Sequence, residues 1–377
     1  MSARAGTLTH WAITLLVPVF NLVAALVVSG LVVLVIGENP LEVVQLLVWG
    51  AFGYGEGVGY TLFYTTNFIF SGLAFAVAYH AGLFNIGAEG QAYLGGLGVA
   101  LACLYLDFLP LPLLIPAAIA ASALFGAAWA FVPGWLQAHR GSHIVITTIM
   151  FNFIAASVMV YLLVNVMAPP GSMQPESATF AETARMPFIH EMLGGLGIEL
   201  SRSPLNMSFL WALACCVLVW LLIWHTPLGY ALRTVGTSPQ AAVYAGMSPK
   251  RLTVIAMLIS GALAGGMALN EIMGSQHRLI LEFTSGYGFV GIAVALMGRS
   301  HPVGICLAAL LFGALYQGGA ELAFEKPKIT RDMVIVIQGL IIFFAGAMEH
   351  LFRPQLEALL TRKAASPVTV EEGQPSG

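Results

Sequence analysis

The stretch Gly82-Leu83-Phe84-Asn85-Ile86-Gly87-Ala88-Glu89-Gly90-Gln91 sets a carboxylate, amide side chains and three glycines between the apolar runs Tyr60–Tyr79 and Ala92–Leu106. Polar, breakable backbone is expensive at membrane depth and is tolerated where it faces protein or a water-filled path. A solute pathway through a helical membrane protein is therefore the first reading this segment suggests.

The rest of the chain supports the membrane setting. Of its 377 residues, 58% are hydrophobic and 9% charged, against about 25% charged in soluble domains. Apolar runs recur at Trp11–Ile36, Tyr60–Tyr79, Ala92–Leu106, Leu111–Val132, Ile144–Val166, Phe209–Trp224, Leu252–Leu269, Phe289–Met297, Val303–Leu315 and Met333–Ala347. Most approach the roughly 20 residues that cross about 30 Å of hydrocarbon. The fold class expected is an all-α polytopic membrane protein of about ten spans, occupying residues 1–352, followed by a cytoplasmic tail, 353–377, of disordered composition. The first run exceeds the h-region of a cleaved signal peptide and no clear A-x-A site follows it, so it reads as a retained span. The four cysteines, Cys103, Cys215, Cys216 and Cys306, lie in apolar runs and read as small buried hydrophobes. There is no basic stripe for nucleic acid.

Basic residues favour the cytoplasmic side of short loops. With Arg4 inside and ten spans alternating, Arg140, the Arg233–Arg251 loop, Arg299, Arg353, Arg362 and Lys363 fall inside. The segment Glu38–Glu56 and the loop Pro169–Pro204 fall outside, and the latter is expected to hold a short surface helix around Phe188-Ile189 and Met192-Leu193. Lys326, Lys328 and Arg331 fall outside against the rule, among Glu321, Glu325 and Asp332.

Missing chemistry narrows the function. The four lysines follow Pro249, Glu325, Pro327 and Arg362, so the Gly-Lys pair of a P-loop does not occur and ATP cannot be held by that device. His139 and His143 have helical metal spacing but no Glu and third ligand beside them, and no metal site is expected. Gly298-Arg299-Ser300-His301-Pro302 lacks the second glycine of a nucleophile elbow. No catalytic residue set is visible, which leaves a membrane enzyme a weak option.

In the opening segment, Asn85 is expected to cap a helix beginning at Ile86 or Gly87, with Glu89 in its first turn where the dipole favours a negative charge. A tight cytoplasmic turn with Glu89 merely wetted is the competing reading. A second glycine-interrupted stretch, Ser285-Gly286-Tyr287-Gly288-Phe289-Val290-Gly291 through Gly298, lies far downstream. Paired broken segments in two halves of a transporter often meet at the binding site, and Tyr287 and Phe289 have rings that stack on a flat ligand. Simple helix packing and interfacial anchoring explain the same residues.

The inside loop 226–251 is too polar to span. Ser238 is a natural N-cap, Pro239 fits the first helical position and Gly246 is a natural stop, so Ser238–Gly246 reads as a short Ala-rich cytoplasmic helix. Its small side chains, Ala241 and Ala242 among them, suit a partner's groove.

Together, Gly82–Gln91, the stretch His143–Ala155 (His-Ile-Val-Ile-Thr-Thr-Ile-Met-Phe-Asn-Phe-Ile-Ala) and the Gly229–Gly246 loop resemble the permeases of bacterial ABC importers. The group is the branched-chain amino acid and simple-sugar permease family. The likeness runs from about Gly72 to about Ala347 and is strongest to nucleoside or simple-sugar permeases, which keep Asn-Ile-Gly-x-Glu-Gly-Gln. The chain departs at Ile144-Val145, where many relatives carry a Glu directly after, or two positions after, the residue at 143, so a role resting on that carboxylate does not transfer.

The resemblance implies a type II-like importer permease in the bacterial inner membrane, with both termini cytoplasmic. It implies pairing with a second permease in a heterodimer, a coupling helix (Ser238, Pro239, Ala241, Ala242, Gly246) docked on a cytoplasmic ABC ATPase that uses the ATP, and an extracytoplasmic lipoprotein receptor delivering solute to 38–56 and 169–204. This chain itself would need no cofactor. Asn85, Glu89, Asn152, Tyr287 and Phe289 are the expected pathway residues for a small uncharged solute, a nucleoside or a simple sugar. A secondary transporter, with Glu89 and Glu271 as its ionisable residues, and a structural scaffold are the alternatives.

Overall fold

The computed structural model describes residues 23, 27–195, 197, 198, 200–326, 328–330, 333–340 and 343. Most of the Trp11–Ile36 run, the end of the Met333–Ala347 run, Arg4, Arg331, Asp332, and the tail 353–377 with its basic residues lie outside the described residues. Two compact units occur: 1–43 with 328–377, and 44–327. In the first, Lys328 Nζ stands 3.5 Å from a Glu38 carboxylate oxygen, so this basic residue on the disfavoured side of the charge rule has an acidic partner.

Regular structure among the described residues is helical, apart from two isolated bridges, Glu176 to Ile280 and Phe188 to Asn206. The helices are α1 (Val27–Ile36), α2 (Pro40–Phe52), α3 (Gly55–His80), α4 (Ala88–Tyr105), α5 (Leu111–Arg140), α6 (Ile144–Asn165), α7 (Ile189–Gly194), α8 (Ser208–His225), α9 (Pro227–Thr237), α10 (Pro239–Tyr244), α11 (Pro249–Ala268), α12 (Tyr287–Met297) and α13 (Pro302–Glu325). A π-helical stretch, Leu269–Gln276, extends α11. Six of these are long and apolar enough to cross a membrane, or seven if α1 and α2 form one bent span.

Local chemistry sets the starts. Helices α9, α10, α11 and α13 each open with a side-chain cap followed by proline: Thr226-Pro227, Ser238-Pro239, Ser248-Pro249 and His301-Pro302. The cap accepts a free N–H, and proline wastes no donor at the first helical position. Helix α5 ends at Gly141, whose φ of +68° turns the chain in the left-handed region.

Burial sorts the helices. Helix α3 is buried along 89% of its apolar window, against 22% for α5, 28% for α6 and 33% for α8, so α3 is the central mast and the others turn apolar faces outward. Small residues bring the backbones close: a Cβ added at Gly261 of α11 would lie 2.4 Å from the Gly126 carbonyl oxygen of α5. Such contacts drive helix association where lipid removes the hydrophobic incentive.

Two spans are discontinuous. The chain breaks between α3 and α4 at residues 81–87, and α12 has 11 residues, about 16 Å, or roughly half the hydrocarbon thickness. The segment between the π-helical stretch and α12 is neither helix nor strand for most of its length.

The outside loop is ordered, and it contains the expected short helix as α7. Ser177 N donates to the Leu279 carbonyl at 2.9 Å, Phe180 N to that of His277 at 2.7 Å and Met186 N to that of Met273 at 3.1 Å. Arg278 pairs with Glu176 at 3.1 Å. The loop is thus strapped across the end of the π-helical stretch.

Candidate functional site

The break after α3 is held open by side chains, as buried backbone without partners must be. Asn85 is fully buried. Its Oδ1 accepts from Gly87 N at 2.8 Å, and its amide exchanges bonds with the Gln91 amide at 3.0 and 3.1 Å. Asn85 Nδ2 also donates to Ser260 Oγ at 2.8 Å. This corrects the expected cap: the helix begins at Ala88, and Asn85 makes an Asx-type turn to the residue two ahead. The Gln91 and Ser260 partners, supplied by α4 and α11, draw its side chain away from the helix end.

From α6, Asn152 serves the same break. Its Nδ2 donates to the Ile86 carbonyl and its Oδ1 accepts from Gly90 N, both at 2.9 Å. Asn152 lies eight residues past Ile144, about 12 Å along the helix axis. The break therefore lies well inside the bilayer depth of α6, which disfavours the plain cytoplasmic turn.

Glu89 joins the two discontinuous segments. Its carboxylate accepts from Thr284 Oγ1, from Gly286 N at 2.9 Å and from Gly288 N at 2.9 Å. These donors lie at the start of α12, so Glu89 acts as an N-cap supplied by another helix. Gly286 takes the left-handed φ of +81°, and a Cβ at Gly288 would lie 2.5 Å from Glu89 N. The second glycine-rich stretch thus exists to bring α12 against the first turn of α4.

Beside this junction is a cleft of about 320 Å³ lined by Glu89, Tyr93, Ile149, Asn152, Phe153, Ala156, Glu282, Ser285, Gly286 and Phe289. Three expected pathway residues, Glu89, Asn152 and Phe289, border it. Asn85 and Tyr287 do not. Tyr287 packs edge-on against Phe68 at 5.5 Å and near Tyr316 at 5.9 Å. The reason is helical geometry: residues two apart point about 200° apart, so Tyr287 and Phe289 cannot share a face. Tyr93 and Phe153 were absent from the sequence expectation. Tyr93 is one turn beyond Glu89, and Ile149, Asn152, Phe153 and Ala156 recur at helical spacing on α6, which is the signal that points to them.

Glu271 belongs to a separate buried chain. It accepts from Asn67 Nδ2 at 2.6 Å, Asn67 accepts from Asn270 Nδ2 at 3.0 Å, and Asn270 accepts from Ser208 Oγ at 2.9 Å and Asn206 Nδ2 at 3.1 Å. This ties α3, α8 and the π-helical stretch together.

On the loop 226–251, Ser238 Oγ accepts from Ala241 N at 3.3 Å, and Gly246 takes a φ of +76°. The sequence had not resolved α9, whose Thr226 cap and Pro227 start a second short helix before α10. Ala242 is fully buried, whereas Val243 and Tyr244 are 60% and 93% exposed. Gly236 of α9 meets the end of α3, where an added Cβ would lie 2.2 Å from the His80 carbonyl oxygen. The loop therefore touches the chain just ahead of the break. Among the described residues no three His, Cys, Asp or Glu side chains cluster to hold a metal ion.

The family described as branched-chain amino acid transport system / permease component matches residues 57–346. The chain belongs to this permease family. Among its relatives, the guanosine ABC transporter permease protein NupP of Bacillus subtilis is 35% identical over 88% of this chain and 93% of its own. The glucose ABC transporter permease protein TsgB13 of Haloferax volcanii is 33% identical over 92% and 90%, and the nucleoside ABC transporter permease protein NupB of Lactococcus lactis is 32% identical over 95% and 97%. No solved structure matches. For this permease, then, both discontinuous segments and the loop 226–251 lie inside the family match.

Proposed function

We propose that this permease is the membrane subunit of an ATP-driven importer and that the cleft beside Glu89 forms one wall of its solute path. The observation that carries the reading is the meeting of two broken helices at one buried carboxylate. Polar groups opening outward at that depth need water or protein in front of them, not lipid. A second permease subunit facing the cleft supplies this, in a heterodimer of about ten helices per chain, set in the bacterial inner membrane with termini inside. Residues 1–352 form the membrane part and 353–377 a cytoplasmic tail.

ATP is bound and hydrolysed by a cytoplasmic ABC ATPase, which grips the 226–251 loop chiefly through exposed Val243 and Tyr244 of α10. Ser238, Pro239 and Gly246 fix the shape of that helix, Ala241 lies on its exposed side, and buried Ala242 seats it. Movement of α9 passes through the Gly236 contact to the α3 end and the break. A lipoprotein receptor delivers solute on the side of the 38–56 and 169–204 segments. Each state is favoured by whatever nucleotide or solute binds it better.

The solute is a nucleoside. The guanosine and nucleoside permease relatives support this, and Phe153 and Phe289 supply apolar ring faces beside the polar floor of Asn152, Tyr93 and Ser285, as a flat hydrogen-bonding solute requires. The glucose permease relative favours a simple sugar as the second reading. Proteoliposomes holding this chain with the second permease, ATPase and receptor encoded beside it test both. ATP-dependent uptake of labelled guanosine, out-competed by other nucleosides and not by glucose, is expected. Uptake by this chain alone under an ion gradient would overturn the importer reading in favour of a secondary transporter.

A further inference from the structure

Half-helix N-termini inside transporters are ready-made anion sites, because their free N–H groups and dipole point at the solute. In this permease the start of α12 is already filled. The N–H groups of Gly286 and Gly288 and the Thr284 hydroxyl all donate to Glu89, so none is left for a solute carboxylate or phosphate. The lip of the same cleft carries a second carboxylate, Glu282, which is exposed and held in the left-handed region at φ +55° by the irregular segment before α12. No Lys, Arg or His lines the cleft.

We propose that the cleft is selective against anions, passing uncharged solutes and rejecting carboxylates and phosphates, and that Glu282 is the residue that sets this sign. An anion entering would find its donor site occupied, one exposed carboxylate at close range and no cation to offset it, in surroundings of lower dielectric than water. The contrast with the family's amino acid carriers follows from chemistry: an amino acid brings a carboxylate that this cleft has no group to receive. A nucleoside fits and its monophosphate does not. The inference rests on the reading that the cleft faces the solute path.

Charge-selective thiol labelling tests it without relying on the receptor's own selectivity. In a chain whose four native cysteines are replaced by Ser, Phe289→Cys and, separately, Ser285→Cys place a reactive thiol in the cleft. Each is exposed in the assembled transporter to neutral, cationic and anionic methanethiosulfonates, with rates normalised to a small free thiol. The cationic reagent should exceed the anionic one by at least about fivefold, the effect of one nearby unit charge in surroundings less polar than water. Glu282→Gln should bring the ratio close to one, and Glu282→Asp should retain it. Equal normalised rates, or a ratio indifferent to Glu282→Gln, would overturn the charge selectivity while leaving the pathway reading intact. Failure of all three reagents at both positions would show a cleft closed to water, and would overturn the pathway reading and the selectivity with it.

Discussion

Glu89→Gln is the sharpest perturbation of the junction. The carboxylate presents only acceptors, and three donors converge on it: Thr284 Oγ1 and Gly286 N on one oxygen and Gly288 N on the other. An amide keeps one acceptor. In its best orientation the carbonyl faces Thr284 and Gly286, and the NH₂ group then points at the Gly288 N–H, donor against donor. Glu89 is 6% exposed, so little water is at hand to replace the lost bond. One buried N–H without a partner costs about 1–3 kcal/mol, and hydrogen bonds measured inside bilayers fall toward the low end of that range.

The loss should appear as easier local opening of the α12 start. Hydrogen exchange of the permease in nanodiscs, followed by mass spectrometry, should show peptides covering 284–290 exchanging about 5- to 150-fold faster. Peptides from the middle of α5, which shares no bond with Glu89, serve as the control and should not change. Glu89→Ala, which orphans all three donors, should exceed Glu89→Gln. Identical protection of 284–290 in wild type and Glu89→Gln would refute the claim that this carboxylate fastens the two broken helices.

Further outcomes follow from the same geometry. Asn152→Leu removes the partners of the Ile86 carbonyl and the Gly90 N–H, so the thermal midpoint in detergent should fall by the equivalent of about 2 kcal/mol or more; Asn152→Asp, which keeps the acceptor, should fall less. Tyr244→Ala combined with Val243→Asp strips the exposed face of α10 and should abolish stimulation of ATP hydrolysis by receptor and solute while leaving membrane insertion unchanged. His277, at the end of the π-helical stretch, is held below the usual histidine range by burial and by the nearby Arg185, with Glu191 opposing. Its folded pKa is lowered, so its contribution to stability is present above the unfolded value near 6.5 and is lost as pH falls through the folded value. Limited proteolysis of the 169–204 loop, which is tied to the His277 carbonyl, should accelerate over that window, and His277→Gln should flatten the dependence.

What could be read without coordinates followed from local rules. Hydrocarbon length and the scarcity of charge declared the helical membrane protein, because a bilayer admits few other solutions. The Ser238-Pro239 start and the Gly246 stop were legible because caps and left-handed turns depend on a few neighbouring residues. The roles of Asn85 and Tyr287 were not. Asn85 has the chemistry of a cap, and only the arrival of Gln91 and Ser260 turns it into a turn-former. Tyr287 and Phe289 look alike in sequence, and the direction of the α12 axis sends one into the aromatic packing around Phe68 and the other to the cleft. Ala242 has the composition of a docking residue, yet tertiary packing buries it and leaves Val243 and Tyr244 outside.

The sequence by itself determined that polar, glycine-broken segments interrupt two runs of hydrocarbon, since composition and the cost of unpaired backbone are properties of the chain alone. Only the tertiary structure decided that the two interruptions face each other. Nearly 200 positions separate Glu89 from Gly286, and nothing in local propensity links them. The link arises because the helices pack through small residues closely enough for one carboxylate to reach the free N–H groups of another helix, and that contact shapes the cleft.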